Sequence, residues 1–258
     1  MTTPPDLRFV RTELDGRIGR LVLAQPDRLN PMGTPVLEEL TAAARWFDRT
    51  DASVVVVTGE GRAFSAGFDR AELGGAPVRG SKPTPDLGAE MAEAIRTMRA
   101  LTVASIQGPC VGGGLVLALA CDLRVLADDA WCSLPEAELG LPLAWSGVPL
   151  LVRTVGASRA IDLILTCRRV RAEEALRLGL ADRVVPAVDL AAEVRALAAG
   201  LAERDPEVVR TTKAQVAAAA EDLVASTGAA AGTEHLTDAL RRILRSLDRG
   251  DRRRPRIG

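Results

Sequence analysis

The sequence predicts an α/β protein built on a largely parallel sheet. Three observations carry this. Residues 54–57 are four consecutive valines, the mark of a strand covered on both faces. Residues 103–106 form a second apolar run; it leads through Gly112, Gly113 and Gly114 into a longer one, 115–121, that reads as a buried helix. Strand-like and helix-like segments alternate between and around these runs, which implies helices layered on parallel strands.

Taken in order, residues 9–13 and 18–23 read as strands about Asp15 and Gly16, a hairpin signal. A two-proline loop follows over 25–31. Thr34 is placed to cap the next helix, with Pro35 in its first turn. That helix runs through Trp46, with Val36, Leu37, Leu40, Ala43 and Ala44 on its apolar side. Beyond the valine strand, residues 62–69 mix small residues with glycine. Residues 73–88, rich in Gly and Pro, read as a mobile loop, and 89–101 as a helix. Residues 123–126 form a further strand. After residue 140 the pattern is mainly helical: 148–155, 158–167 and 172–178 are short helices, and 182–185 is a brief strand stopped by Pro186. Residues 189–204, 206–223 and 233–249 are amphipathic helices whose Ala and Leu stripes suit packing within or between subunits. No internal repeat and no true linker stands out.

Bulk properties exclude several function classes. The 258 residues suffice for one large domain or a domain with a small appendage, and 47% hydrophobic with 26% charged residues fits a soluble globular protein. A net charge of −1 gives no reason to expect nucleic acid or a membrane surface as partner. Aromatics are 3% and Tyr is absent, which argues against a base-stacking platform. No secretory signal is visible at the N-terminus, and no stretch approaches about 18 uninterrupted apolar residues. Cys110, Cys121, Cys132 and Cys167 include no Cys-x-x-Cys pair, so buried reduced thiols and a cytoplasmic location are expected. His235 is the sole histidine, which excludes a His-rich metal site.

Familiar catalytic motifs fail one by one. The glycines at 112–114 do not fit Gly-x-Gly-x-x-Gly, and no Gly-Lys-Ser/Thr follows them. Ser65 has Gly67 after it but Ala63 before it, so it reads as a turn residue rather than a nucleophile. Two glycine-containing turns remain, each following a buried strand, with a carboxylate downstream. Each turn can present a backbone N–H to one point, and two converging N–H groups make an oxyanion hole. The same glycines also suit a tight packing turn with no ligand. Glu136 follows Pro135 among Leu134, Ala137 and Leu139, an apolar setting that would raise its pKa toward acid–base use; an exposed loop charge is the other reading.

The motifs together resemble the enoyl-CoA hydratase/isomerase (crotonase) family. Phe64-Ser65-Ala66-Gly67-Phe68-Asp69 carries the resemblance, followed by Gln107-Gly108 through Gly112-Gly113-Gly114 to Cys121-Asp122. Pro26-Asp27-Arg28-Leu29-Asn30-Pro31, Leu134-Pro135-Glu136 and Leu139-Gly140-Leu141-Pro142 extend it, as does Leu178-Gly179-Leu180-Ala181-Asp182. The resemblance runs from about Arg8 to the C-terminus. It implies a crotonase-like spiral of repeated β-β-α units over residues 1–195 and a C-terminal helical trimerisation region over 196–258. It implies an acyl-CoA thioester substrate, no metal or redox cofactor, and a homotrimer or dimer of trimers. It places the thioester carbonyl between the backbone N–H groups of Phe68 and Gly113 and makes Glu136 the acid–base. Arg28, Ala63, Ala66 and Asp69 join Phe68 and Gly113 along the coenzyme A and substrate path.

One departure matters. Hydratases of the family carry two glutamates, and the first position is Val116 here. Isomerase-like shuttling of one proton by Glu136 is therefore the expected chemistry. Hydration by Glu136 alone and non-catalytic acyl-CoA binding are the alternatives. Glu138 and Asp69 are possible assistants, Glu138 reading rather as a surface charge. Arg241, Arg242, Arg245, Arg249, Arg252, Arg253, Arg254 and Arg256 crowd the C-terminus; they suit coenzyme A phosphates or a solvated helix face.

Overall fold

The computed structural model describes residues 3–72 and 82–225. The expected mobile loop lies partly outside these residues, and the helix over 233–249, His235 and the arginine-rich end lie wholly outside them.

β1 (Val10–Asp15) and β2 (Ile18–Leu23) form the expected hairpin, turning through Gly16 at φ +56°. From β2 the chain repeats one move. A strand enters a central sheet, a very short strand turns out of it, and a helix returns. The first turn is β2, β3 (Pro31–Met32) and α1 (Thr34–Phe47). The second is β4 (Val54–Gly59), β5 (Gly67–Phe68) and α2 (Thr84–Arg96). The third is β6 (Leu101–Ile106), β7 (Cys110–Val111) and α3 (Gly113–Ala120). A fourth begins with β8 (Leu123–Ala127) and β9 (Trp131–Ser133). The chain continues through α4 (Gly147–Val155), α5 (Ala157–Thr166), β10 (Val170–Arg171), α6 (Ala172–Leu178), β11 (Arg183–Val185), α7 (Leu190–Ala202) and α8 (Pro206–Ala225).

The central sheet has the order β1-β2-β4-β6-β8-β11 and is parallel except for the hairpin. The short strands pair separately, as β3-β5 and β10-β9-β7. The result is the spiral of β-β-α units that the resemblance implies. The valine strand is buried along 54–57 because sheet neighbours flank it and α7 lies against it. Every residue of α3 is buried, which explains why its sequence is apolar all round.

Two expectations need correction. The helix expected at 89–101 runs instead from Thr84 to Arg96, and Leu101 opens β6. Pro85 and Gly88 read as loop residues, but proline is at home in a first helical turn, and Gly88 has a packing role described below. Thr34 does not cap α1: Gly33 occupies the N-cap, and the Thr34 N–H and Oγ1 both donate to the carboxylate of Glu72 at 2.9–3.0 Å. The helix start is satisfied by a side chain distant in sequence.

α7 runs across the expected division at 195/196 and lies against β2, β4, β6 and β8. α8 is tied to the core where Lys213 Nζ donates to Asp122 Oδ2 at 2.7 Å and to the Ala100 carbonyl at 3.0 Å. All four cysteines are buried and unbridged. Among the described residues no helix is long and apolar enough to cross a membrane, and no group of His, Cys, Asp or Glu is placed to hold a metal.

Candidate active site

The turn leading into β5 is fixed by two amides. Asn30 is buried and left-handed at φ +54°. Its Nδ2 donates to the carbonyls of Glu60 and Ala63 at 2.9 Å and Phe64 at 3.2 Å, and its Oδ1 accepts the Gln25 N–H at 2.9 Å. Gln107 Nε2 donates to the carbonyls of Gly59 at 2.7 Å, Gly61 at 3.2 Å and Ala63 at 2.8 Å. Ser65 is fully buried; its Oγ donates to the Asn30 carbonyl at 2.7 Å and accepts the Gly67 N–H at 3.1 Å. Ser65 is thus the turn residue expected.

This turn aims the Phe68 N–H. Parallel ladders engage alternate amides along a strand. The Asp69 N–H donates to the Met32 carbonyl at 3.3 Å, so the Phe68 N–H faces away from β3. On the other side lies the β7–α3 junction, bridged through Ser65 and Cys110. A Cβ added to Gly67 would stand 3.3 Å from the Gly113 nitrogen. Gly113 is the first residue of α3, so its N–H has no acceptor within the helix. Two backbone amides, unclaimed by sheet or helix, therefore sit on touching turns.

The three glycines have three different neighbours. Gly112 turns at φ +53°, and a Cβ there would stand 2.6 Å from Glu136 Oε1. A side chain on Gly113 would collide with the six-membered ring of Trp145. A Cβ on Gly114 would stand 2.7 Å from Ser65 Cβ. The junction is thus packed against a carboxyl, an indole and the opposite turn.

Glu136 lies in a 3₁₀ turn, Pro135–Leu139, beyond β9. The residue is half-buried as a whole, yet Oε2 is enclosed and lacks a hydrogen-bond partner. Burial pushes its carboxyl up from the ordinary 4.5 to about 7, and a backbone hydrogen bond draws it partly back. An acid poised near neutrality, beside two unclaimed amides, can move a proton on a molecule whose developing oxyanion those amides hold.

The other expected positions separate. Arg28 is exposed and grips Asp69, its Nη2 lying 3.1 Å from Oδ1 and 2.9 Å from Oδ2. Ala66 is exposed on the turn, while Ala63 is enclosed behind it with its carbonyl engaged by Asn30 and Gln107. Glu138 is exposed, as a surface charge should be. Val116 is buried, and a Cβ on Gly147 would stand 2.9 Å from its Cγ2. Sequence reasoning missed Asn30 and Gln107 as braces; the stretch 143–148 reads as shaping the acyl pocket, but Trp145 within it is not singled out. The indole of Trp145 lies against Gly113 and edge-on to Phe68, with ring centroids 6.2 Å apart and planes at 80°. The signal that could have found it is glycine inside a helix, at Gly88, where glycine costs stability unless something must come close.

Comparison with known proteins identifies the family. Residues 13–242 match the enoyl-CoA hydratase/isomerase family. The probable enoyl-CoA hydratase echA8 of Mycobacterium bovis is 36% identical over 208 residues, 80% of each chain. DspI of Pseudomonas aeruginosa superposes with a TM-score of 0.79 at 33% identity, covering 84% of this chain and 83% of its own. A monofunctional enoyl CoA isomerase from M. smegmatis superposes with a TM-score of 0.71 at 29% identity, covering 89% of this chain and 98% of its own. The chain belongs to the enoyl-CoA hydratase/isomerase family.

Proposed function

We propose that this member of the family moves a double bond along an enoyl-CoA thioester, with Glu136 carrying the proton. The observation that supports this most is the pairing of a half-buried carboxyl at Glu136, whose Oε2 lacks a partner, with an apolar residue, Val116, at the family's first glutamate position. In a 3-enoyl thioester, the Glu136 carboxylate takes a proton from C2. The electrons pass into the carbonyl, giving a dienolate whose oxygen accepts from the Phe68 and Gly113 amides. The Glu136 carboxylic acid then returns the proton at C4, and the double bond stands between C2 and C3. One carboxyl suffices because the proton leaves and returns along one short carbon chain, and no water takes part.

Hydration is the second reading, favoured by relatives named as hydratases. It needs a group to orient and activate water, and Val116 offers none. Arg28, Ala66 and Asp69 would flank the coenzyme A portion. Ile161 and Leu165 on α5 and Val208 and Val216 on α8 are exposed apolar side chains that a homotrimer would cover.

Glu136→Gln tests the reading. Acyl-CoA binding should stay near wild type, because backbone amides hold the carbonyl. Isomerisation and exchange of the C2 proton with deuterated solvent should both fall by roughly 10²–10⁴-fold. Undiminished exchange would remove Glu136 from the chemistry, and fast hydration by the wild-type protein would favour the second reading.

A further inference from the structure

We propose that Trp145 sets the acyl-chain length, closing the far end of the site so that only short acyl groups fit. This rests on the thioester reading above. The indole is 6% exposed and wedged between two helices. Its five-membered ring lies where a Cβ on Gly88 of α2 would be, and its six-membered ring where a Cβ on Gly113 of α3 would be. Both glycines are needed for this one side chain to enter. Edge contact with Phe68 brings the indole against the other residue whose amide faces the carbonyl position.

The backbone is bent to put it there. Trp145 has φ +58° and Ser146 φ +59°, a left-handed pair without glycine. A bulky aromatic residue is a genuine outlier in that region, and such strain persists where the surroundings enforce it. Leu143 and Val116 crowd Gly147 just beyond: a Cβ there would stand 2.8 Å from Leu143 Cγ and 2.9 Å from Val116 Cγ2.

What lies behind the indole makes the closure specific. Ser146 and Ala89, the residues next to Trp145 and Gly88, line an open cleft of about 510 Å³ together with Arg45, Asp48 and Glu90. The indole spans from Gly88, beside the cleft-lining Ala89, to Gly113, whose backbone it lies against. An acyl chain that starts at a carbonyl held by Phe68 and Gly113 therefore meets the indole after a short run. With the indole cut back, the space it fills between Gly88 and Gly113 opens to the chain. A single misfitting methylene in such a pocket discriminates by about tenfold or more.

The test measures equilibrium binding of butanoyl-, octanoyl- and dodecanoyl-CoA, which are saturated and inert, to wild type, Trp145→Ala and Trp145→Phe. Wild type should bind the butanoyl thioester at least about tenfold more tightly than the longer two. Trp145→Ala should lose or reverse that preference, and Trp145→Phe should fall between. Trp145→Phe keeps an aromatic wedge between Gly88 and Gly113 and decides the matter should the alanine variant not fold. Equal binding of all three lengths by wild type, or an unchanged preference in the variants that fold, would overturn the role of Trp145 alone. No binding at any length would remove the thioester reading itself, and this inference with it.

Discussion

The two turns that meet at the site are built in opposite ways. The turn before β5 is tied down: Asn30, Gln107 and Ser65 engage the backbone from Gly59 to Gly67. The turn after β9 is left open: Glu136 Oε2 has no partner, Glu138 and Leu139 are exposed, and Trp145 and Ser146 farther along are left-handed. The contrast is the one the proposed roles require. A backbone dipole helps a developing charge only if it is already aimed and does not reorganise. A proton carrier must hold both protonation states within reach, and a firm hydrogen-bond partner would favour one of them. Burial, which penalises charge without fixing geometry, tunes the second turn instead.

Removing the main brace should have the largest effect. Asn30→Ala strips donors from three carbonyls and an acceptor from the Gln25 N–H. Each buried polar group left unpaired costs about 1–3 kcal/mol, and Gln107 still holds Ala63, so a total loss of roughly 3–5 kcal/mol is expected in urea unfolding. Turnover at saturating substrate should drop with it, since the Phe68 amide loses its aim. A loss under about 1 kcal/mol, within the range of an unremarkable surface change, would mean that the first turn is not held as tightly as its contacts suggest.

The second turn predicts a pH-dependent gain. The Glu136 carboxyl titrates at about 7 in the folded protein against an ordinary 4.5. Between these values the folded state holds the proton more firmly than the unfolded state. The stability contributed by the neutral carboxyl is full below 4.5 and is lost as pH rises through about 7. Glu136→Gln, neutral throughout, should match wild type in acid and exceed it above neutrality by roughly 3 kcal/mol. Thermal melts of both proteins from about pH 3.5 to pH 8, about a unit beyond the two pKa values, would show the gap opening. A constant gap would mean that something other than burial of charge tunes Glu136. The same titration predicts turnover rising with pH through about 7, because the carboxylate must first accept the proton.

How far the sequence reveals these two turns depends on the range of the interactions. Runs at 54–57, 103–106 and 115–121 are apolar enough to read as buried strands and a buried helix, and the structure places β4, β6 and α3 there. The repeating β-β-α move was legible only through the family resemblance, because β3, β5 and β7 are two residues each, too short to show a period. Glu136 stood out because its apolar neighbours are adjacent in sequence. Asn30 acts on carbonyls some 30 positions away, so its role appears only once β2 and β4 pair. Glu72 stabilises the start of α1 across a similar gap, and a local capping rule therefore pointed to Thr34. Trp145 needs two glycines from two helices, a pattern that local spacing does not encode.

The smallest effect separates the rim of the first turn from its interior. Arg28 and Asp69 form an ion pair in which one arginine nitrogen, Nη2, meets both carboxylate oxygens, but the arginine side chain is 55% exposed and Asp69 is 16% exposed. Exposed pairs contribute about 0–1 kcal/mol, so Arg28→Ala should shift unfolding by less than about 1 kcal/mol, against several for Asn30→Ala. If Arg28 also meets a coenzyme A phosphate, the variant should bind coenzyme A several-fold more weakly at low salt, and the difference should shrink as salt screens it. Arg28→Lys keeps the charge, so it should recover the salt-dependent part of the binding. Calorimetric titration at two ionic strengths reads all three proteins. Equal affinities at low salt would confine Arg28 to its pairing with Asp69, while a stability loss as large as that of Asn30→Ala would erase the distinction between rim and brace.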